Sequence, residues 1–481
     1  MLKNLKNVAL LSVTAVLAAS CGTQVEAPTA STSALLETQS LQSEANYVVS
    51  STQALPANFR AVAARNGDTV IAANEAAGFA SVRTRNPAAY RKYADIVVRD
   101  VTLQWIPNEK HQEISAEDVD ANAAIQGTGT NPFASLLWGL DAVNAPEAWA
   151  AGVKGKGVRI AVLDSGIDRT HPDLVGNLNA GLSESFVPNE EYFVRPGVFF
   201  NHGTHVAGTI AASDNNVGVI GVAPEAEIVA VKVLSEYSGS GSFGGIIAGI
   251  MYAADIGSDV INMSLGATLQ KRGFTDDNGT PDDPKDDFFV PGSAKDVAEL
   301  TTALSRATTY AHRKGVTMIA SEGNDAIDKD HSADVISVPA DSAHVLSISA
   351  TAPEGWAKTP TVNLNGLSSY SNYGASAVNF AAPGGDFDLP GNDVCTVGSV
   401  RQLCYAFDMV FSTVAGGRYS WSAGTSMAAP HASGIAALII GQNGGQMNPA
   451  QVASEMAKRA QDFGKQGNDP AYGGGLVHSG F

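Results

Sequence analysis

The sequence predicts an α/β protein built around a parallel sheet, preceded by a small α+β unit. Two observations carry this. From Trp138 onward, short runs rich in Val and Ile alternate with helical stretches. The runs are Val158–Leu163, Glu227–Leu234, Asp259–Leu265, Gly315–Ala320 and Val345–Ala350, and the helical stretches include Ser242–Ile256, Asp296–Arg313 and Ser426–Gly441. Near-continuous apolar strands between helices are what a sheet buried on both faces requires. The second observation is the order β-α-β-β-α-β within residues 46–107, a ferredoxin-like pattern. Asn46–Ser50 is β-rich, and Pro56–Arg65 sets Phe59, Val62 and Ala63 at helical spacing. Asp68–Ile71 and Gly78–Thr84 read as a strand pair. Pro87–Ala94 has a proline near its start and Tyr90 and Tyr93 on one face, which predicts a short helix. Ile96–Ile106 is strand-like.

Composition excludes several classes. Of 481 residues, 44% are hydrophobic and 16% charged, enough apolar material for large cores and unlike a disordered chain. Lys and Arg number 30 against 48 Asp and Glu, a net charge of −18 that argues against a nucleic-acid partner. Three cysteines are too few for a disulfide scaffold or a cysteine-built zinc site.

The N-terminus reads as a targeting segment. Lys3 and Lys6 precede the apolar run Val8–Ala19, which is shorter than the roughly 20 residues a membrane span needs. Residues 1–20 are therefore expected to be a signal peptide. The run ends Leu17-Ala18-Ala19-Ser20-Cys21, which has two readings: lipoprotein processing with acylation of Cys21, or ordinary cleavage after Ser20. Both take the protein out of the cytoplasm, either secreted or membrane-anchored outside it. Residues 21–45, rich in Ser, Thr, Ala and Gln, read as a flexible tether, and 108–131 as a polar linker. Asp276–Asp287 holds six Asp and reads as an exposed loop rather than a metal site.

Three segments carry chemistry. Ile160-Ala161-Val162-Leu163-Asp164 is a strand ending in a carboxylate, at the sheet edge where α/β sites lie. Asn201-His202-Gly203-Thr204-His205 sets an imidazole at the start of a small-residue helix. Gly424-Thr425-Ser426-Met427-Ala428-Ala429-Pro430-His431 sends a serine into another helix, with Pro430 suited to a first helical turn. Singly, each is as often a cap or a structural donor. Together they supply a nucleophile, a general base and an orienting acid.

These segments closely resemble those of the subtilisin-like serine proteases (subtilases), including the order Asp…His…Ser. The resemblance covers about 138–481 and implies a three-layer subtilisin-like catalytic domain, placed here at 132–481. It implies Asp164, His202 and Ser426 as the triad, since the first His of His-Gly-Thr-His is the family's base; His205 and His431 are set aside. Met318-Ile319-Ala320-Ser321-Glu322-Gly323-Asn324 resembles the strand whose Asn donates to the oxyanion, which implies Asn324. Ser264, Leu265 and Gly266 resemble the strand that pairs with substrate, with Glu322 and Gly323 as the opposite pocket wall and Ser337 at its floor. A small floor residue implies a roomy pocket for large apolar side chains.

The resemblance also implies a structural Ca²⁺ site: the side chains of Asp173 and Asn215 with the carbonyls of Ser213, Val217 and Val219. The family's N-terminal arm adds a Gln side chain, whereas this chain has Ala134 near that place. With Cys21 acylated or removed, Cys395 and Cys404 are expected to pair, in a stretch, 384–410, that ends shortly before Ser426 and so is expected near the cleft. Residues 46–107 resemble the family's inhibitor-like propeptide in position and size, and 108–131 would hold the processing site. The implied activity is that of an exported, self-processing serine endopeptidase. Its partners would be polypeptide substrates, its own propeptide as intramolecular inhibitor and, with Cys21 acylated, a lipid anchor; a monomer is expected. A non-catalytic binding protein on a protease scaffold would lack a triad member, and none is missing. An α/β-hydrolase esterase would show Gly-x-Ser-x-Gly with the serine first.

Overall fold

The computed structural model describes residues 44–106, 110–113, 131–198, 200–276, 288–290 and 292–481. The expected signal peptide, Cys21, the acidic run after Asp276 and most of the linker lie outside the described residues.

The N-terminal unit runs β1 (Ala45–Ser50), α1 (Phe59–Arg65), β2 (Thr69–Asn74), β3 (Phe79–Thr84), a 3₁₀ turn at Pro87–Tyr90 and β4 (Ile96–Arg99). Its strands form one antiparallel sheet in the order β2-β3-β1-β4. Strand alternation serves two cores at once. Val49, Ala80, Val82 and Val97 pack on Phe59, Ala63 and Tyr90 inside the unit. Val48, Phe79, Ile96 and Val98 face the other way and join the core of the main body.

Two expectations change here. The predicted helix at 87–94 is a 3₁₀ turn whose successors also bond three residues back, Arg91 N–H to Ala88 at 3.3 Å and Tyr93 N–H to Tyr90 at 2.9 Å. The predicted strand Ile96–Ile106 breaks at Asp100, because that carboxylate turns aside to accept the Gly244 N–H at 3.0 Å. The chain resumes as β5 (Thr102–Gln104). Within the expected linker, Lys110–Glu113 form a strand, β6.

The main body contains β7 (Arg159–Asp164), β8 (Glu184–Ser185), α2 (His202–Ala211), β9 (Glu227–Lys232), β10 (Ser240–Ser242), α3 (Phe243–Asp255), β11 (Val260–Met263) and β12 (Ala267–Gln270). A short hairpin, β13 (Thr275–Asp276) and β14 (Phe288–Phe289), leads to α4 (Ser293–Arg313), β15 (Thr317–Ser321), β16 (Val335–Val338) and β17 (Val345–Ala352). Then come β18 (Gly366–Leu367), β19 (Phe380–Pro383), β20 (Val394–Val397), β21 (Val400–Leu403), β22 (Val410–Val414), β23 (Arg418–Ala423) and α5 (Thr425–Gln442).

The central sheet has the order β18-β17-β15-β11-β7-β9-β8, with β19 also beside β17, and is parallel except for β18. Ile160 and Val162 of β7 pack among residues of α2 and α5 on one face. Ala161 and Leu163 pack among residues of α3 and α4 on the other. This makes three layers. Strand order reverses about β7, which has β9 on one side and β11 on the other, so the carboxyl end of β7 lies at the crevice where such sheets bind ligands.

Cys395 and Cys404 are bonded across the β20–β21 hairpin. Gly398 in its turn has φ +58°, and a Cβ there would meet Ser135 Oγ at 2.7 Å. The hairpin thus packs on the 134–136 turn, and no residue of 384–410 lines the substrate pocket described below. Replacing both cysteines with serine should cost about 2–3 kcal/mol from the short closed loop; thermal melting of the double variant beside the wild type checks it.

Candidate active site

Asp164 is the last residue of β7 and is buried. His202 opens α2, whose N-terminus is capped by the Asn201 side chain accepting the Thr204 N–H at 2.8 Å. The cap fixes the helix start and so the imidazole. Its Nδ1 lies 2.9 Å from Asp164 Oδ1 and 2.8 Å from Oδ2. Gly203 makes this approach achievable: a Cβ there would meet the Gly166 carbonyl at 2.4 Å and Asp164 Oδ1 at 3.0 Å.

Ser426 lies in the first turn of α5, behind the cap residue Gly424. Pro430 sits inside this helix. It has no N–H, so the carbonyl four residues back, that of Ser426, loses its helical partner. Ser264 Oγ donates to that carbonyl at 2.7 Å. Asn262 in turn donates to Ser264 Oγ at 3.0 Å and accepts from Ser433 Oγ at 2.8 Å. Ser264, read from the sequence as a cleft wall, therefore holds the backbone of Ser426.

Asn324 follows β15. Its Oδ1 accepts from the Thr425 N–H at 2.9 Å and the Thr425 hydroxyl at 2.7 Å, which turns Nδ2 away from Thr425. The preceding Gly323 has φ +119°, and a Cβ there would meet Asn372 Nδ2 at 2.3 Å. Asn372 was not read from the sequence. It is fully buried, donates to the Glu322 carbonyl at 3.1 Å, and accepts the N–H groups of Asp325 and Ile327 at 3.0 Å each. It shapes the loop that carries Asn324, and as a lone Asn outside any motif it gave no sequence signal.

A pocket of about 310 Å³ is lined by residues that include Gly266, Ala267, Glu322, Gly323, Asn324, Ser337 and Thr425. Leu265 is buried beneath it. Beside the pocket lies an extended stretch of the chain itself. β5 pairs antiparallel with β10, and the Trp105 carbonyl accepts the Gly266 N–H at 2.8 Å. Trp105 is fully buried, edge-on to Phe243 at 5.1 Å, with its indole N–H on the Gly241 carbonyl at 2.8 Å. Residues 107–109 lie outside the described residues; beyond them β6 pairs with β23, which ends at Ala423, three residues before Ser426.

The two histidines set aside have structural roles. His205 Nε2 lies 3.1 Å from the Ser420 carbonyl. His431 Nδ1 lies 2.8 Å from the Met427 carbonyl, and burial pushes its pKa down to about 4.

The expected calcium residues come together around buried Asp173. Its Oδ2 accepts the Val219 N–H and the Tyr419 hydroxyl, each at 3.0 Å, and its Oδ1 accepts from Asn215 at 3.3 Å. Burial pushes its pKa up to about 6. Asn215 Oδ1 accepts the Val217 N–H at 2.8 Å. Ala134 sits in a 3₁₀ turn, and the residue of this arm whose side chain reaches the loop is Asn131. Asn131 donates to the Val219 and Ser213 carbonyls at 2.9 and 3.4 Å, and its own buried Oδ1 has no partner. One carboxylate, amide oxygens and converging carbonyls fit the hard-oxygen set that Ca²⁺ takes.

Fold and site together define an α/β serine hydrolase. The model of the subtilase family (Peptidase_S8) matches residues 155–475, and the chain belongs to that family. It is 36% identical over 375 residues to M-protease of Shouchella clausii (strain KSM-K16), covering 76% of this chain and 77% of that one. It is 36% identical over 345 residues to Subtilisin Savinase of Lederbergia lenta, covering 72% and 97%. The crystal structure of the epidermin leader peptide processing serine protease (EpiP) from Staphylococcus aureus shares the fold, with a TM-score of 0.66 at 22% identity over 91% of this chain and 97% of that one. The protein is thus a serine-type endopeptidase, a hydrolase of polypeptides.

With Asn324 in the oxyanion role the sequence implied, Asn324→Ala should lower kcat about 10²–10³-fold with KM little changed, the known cost of losing one such donor in a subtilisin site. Asn372→Ala should lower kcat as well, and also the melting temperature, because three backbone groups of the loop, those of Glu322, Asp325 and Ile327, lose a partner. Steady-state kinetics beside thermal melting separates the two.

Proposed function

We propose that this endopeptidase is exported as a zymogen and works through an acyl-enzyme, with Ser426 as nucleophile, His202 as general base and Asp164 as the group that orients it. The observation that carries the reading is the contact of His202 Nδ1 with both oxygens of buried Asp164. A proton held on Nδ1 by a carboxylate leaves Nε2 as the basic nitrogen. Nε2 takes the Ser426 hydroxyl proton as Oγ attacks the scissile carbonyl. The oxyanion is met by Asn324 Nδ2 and the Ser426 N–H, at the positive end of α5. Nε2 then gives its proton to the departing amine, and water, activated by the same imidazole, releases the acyl group.

The zymogen reading is supported by the N-terminal unit. Beyond its shared core, Arg306 pairs with Asp95 at 3.1 Å and Asn74 with Asp255 at 2.8 Å. Its following strand lies along the cleft as an extended peptide does when it adds a strand to a sheet edge. The described segments on either side of 107–109 each bond to a part of the site, Trp105 to Gly266 and β6 to β23, which favours cleavage between Ile106 and His111. Export rests on the basic, apolar and small-residue order of residues 1–20.

A bound Ca²⁺ would be held by Asp173, Asn215 and the carbonyls of Ser213, Val217 and Val219, with Asn131 completing the set after its amide rotates. It would contribute stability by binding only the native state.

Two experiments test this. N-terminal sequencing of the purified wild type should give a start within 107–111, while Ser426→Ala keeps residues 46–106 covalently attached and hydrolyses no casein. A fully active wild type that retains the unit would sink the zymogen reading. Millimolar calcium should raise the melting temperature over chelator, by about 2.7 kcal/mol of stability at a hundredfold excess over Kd; Asp173→Asn should abolish the increment.

A further inference from the structure

The pocket beside Ser426 has a charged underside that the hydrolytic steps leave unused. At its floor, Ser337 Oγ accepts from Lys329 Nζ at 2.9 Å. The same ammonium pairs with Asp341 Oδ2 at 2.7 Å, and the Ser337 N–H donates to that carboxylate at 2.7 Å. The Lys329 side chain is only 6% exposed. This floor is not the plain small-residue base the sequence implied. Lys329 and Asp341 cancel in charge. Glu322, in the pocket wall, does not share in the cancellation: it is 1% exposed, and neither carboxylate oxygen has a hydrogen-bond partner. The Ser347 hydroxyl on β17 beside it is committed to the Ala377 carbonyl at 2.6 Å.

We propose that Glu322 sets the selectivity of this pocket: as a neutral acid it leaves a slot for apolar side chains, and as a carboxylate it gives the underside a net negative charge that favours Lys or Arg before the scissile bond. The proposal deepens the peptidase reading and rests on it. The groups facing Glu322 are Asp341 after β16, Lys329 after β15 and Ser347 of β17; Asn372 binds its carbonyl rather than its carboxyl. Burial, then repulsion from Asp341, pushes the Glu322 pKa up to about 7; Lys329, and after it the nearby Ser347 hydroxyl, oppose the rise. Its charge therefore changes within the working range of a histidine base. Asp325 at the exposed rim, bonded to Thr268 at 2.9 Å, adds a second negative charge on the path of entry. One buried charge acting on a cation across the pocket shifts its binding roughly five- to tenfold at an intermediate effective dielectric.

The test uses enzyme matured from the full chain and peptides that differ only in the residue before the cut: Phe, Gln or Lys. The readout is the Lys:Phe ratio of kcat/KM from pH 5.5 to 9. The His202 titration enters both substrates and cancels in the ratio, and a lysine side chain stays charged throughout. In the wild type the ratio should rise roughly five- to tenfold through about pH 7, while the Gln:Phe ratio stays flat. Glu322→Gln should hold the Lys:Phe ratio near the low-pH wild-type value at every pH. A flat wild-type ratio overturns the proposal without any variant, and so does an equal rise in Glu322→Gln. Hydrolysis of the Phe peptide with a flat ratio leaves the peptidase reading standing; no hydrolysis of any peptide overturns both.

Discussion

The active centre depends on one backbone carbonyl. Pro430 denies the Ser426 carbonyl its helical hydrogen bond, and Ser264 restores it from the end of β11. The helix that presents Ser426 is thereby tied to the end of β11, where Gly266, two residues beyond Ser264, pairs with the extended stretch at Trp105. The neighbouring Thr425 ties it to the other wall, holding Asn324 Oδ1 with its own N–H and hydroxyl and receiving the Gly323 N–H at 3.1 Å. Two consecutive residues, Thr425 and Ser426, thus tie the start of α5 to both sides of the pocket and to the Asn324 amide. The rest of α5 is buried from Thr425 to Ile440, so this junction has a rigid base.

The parts legible in the sequence are those in which local pattern and tertiary role agree. The apolar runs became the central strands to within a few residues, and Asp164, His202 and Ser426 stand where strand ends and helix starts put them. What was not legible came from partners distant in the chain. Asn372 shows no period and no motif, and its meaning is three hydrogen bonds to a loop some fifty residues earlier. β6 has a polar sequence that predicts no strand; it is one because β23 offers an edge. Asn131 carries no motif, and only the fold sets its amide on the Val219 and Ser213 carbonyls. Lys329 could not be read as a pocket residue, since only the fold brings it beneath Ser337.

The N-terminal unit was readable as strands for a related reason. Its alternation is apolar on both faces: one face closes the unit's own core, and the other completes the core of the main body. In the proposed maturation, release of a unit built this way would expose Val48, Phe79, Ile96 and Val98 and uncover the core residues packed against them. Surfaces of that kind mark an interface. They also offer a preformed template beside a parallel sheet, whose non-local contacts close slowly. In the proposed zymogen, covering and templating would both follow from this one two-faced sheet.

Glu322 runs against the economy of the rest of the structure. A carboxyl with its pKa raised from 4.5 to about 7 keeps its proton in the fold at pH values where the unfolded chain has lost it. The native state then binds more protons than the unfolded one, so stability falls as pH rises from about 4.5 to about 7 and stays lowered above that. The loss is on the order of 3 kcal/mol, a sizeable share of a typical domain's 5–15 kcal/mol. An apolar residue of similar size would avoid it. Asp341 deepens the loss, and Lys329, already bonded to Asp341 and Ser337, relieves it only in part. A buried carboxyl that destabilises the fold and lies in the wall of the pocket is not explained by the stability of the chain, and the proposed selectivity supplies the rationale its energetics lack.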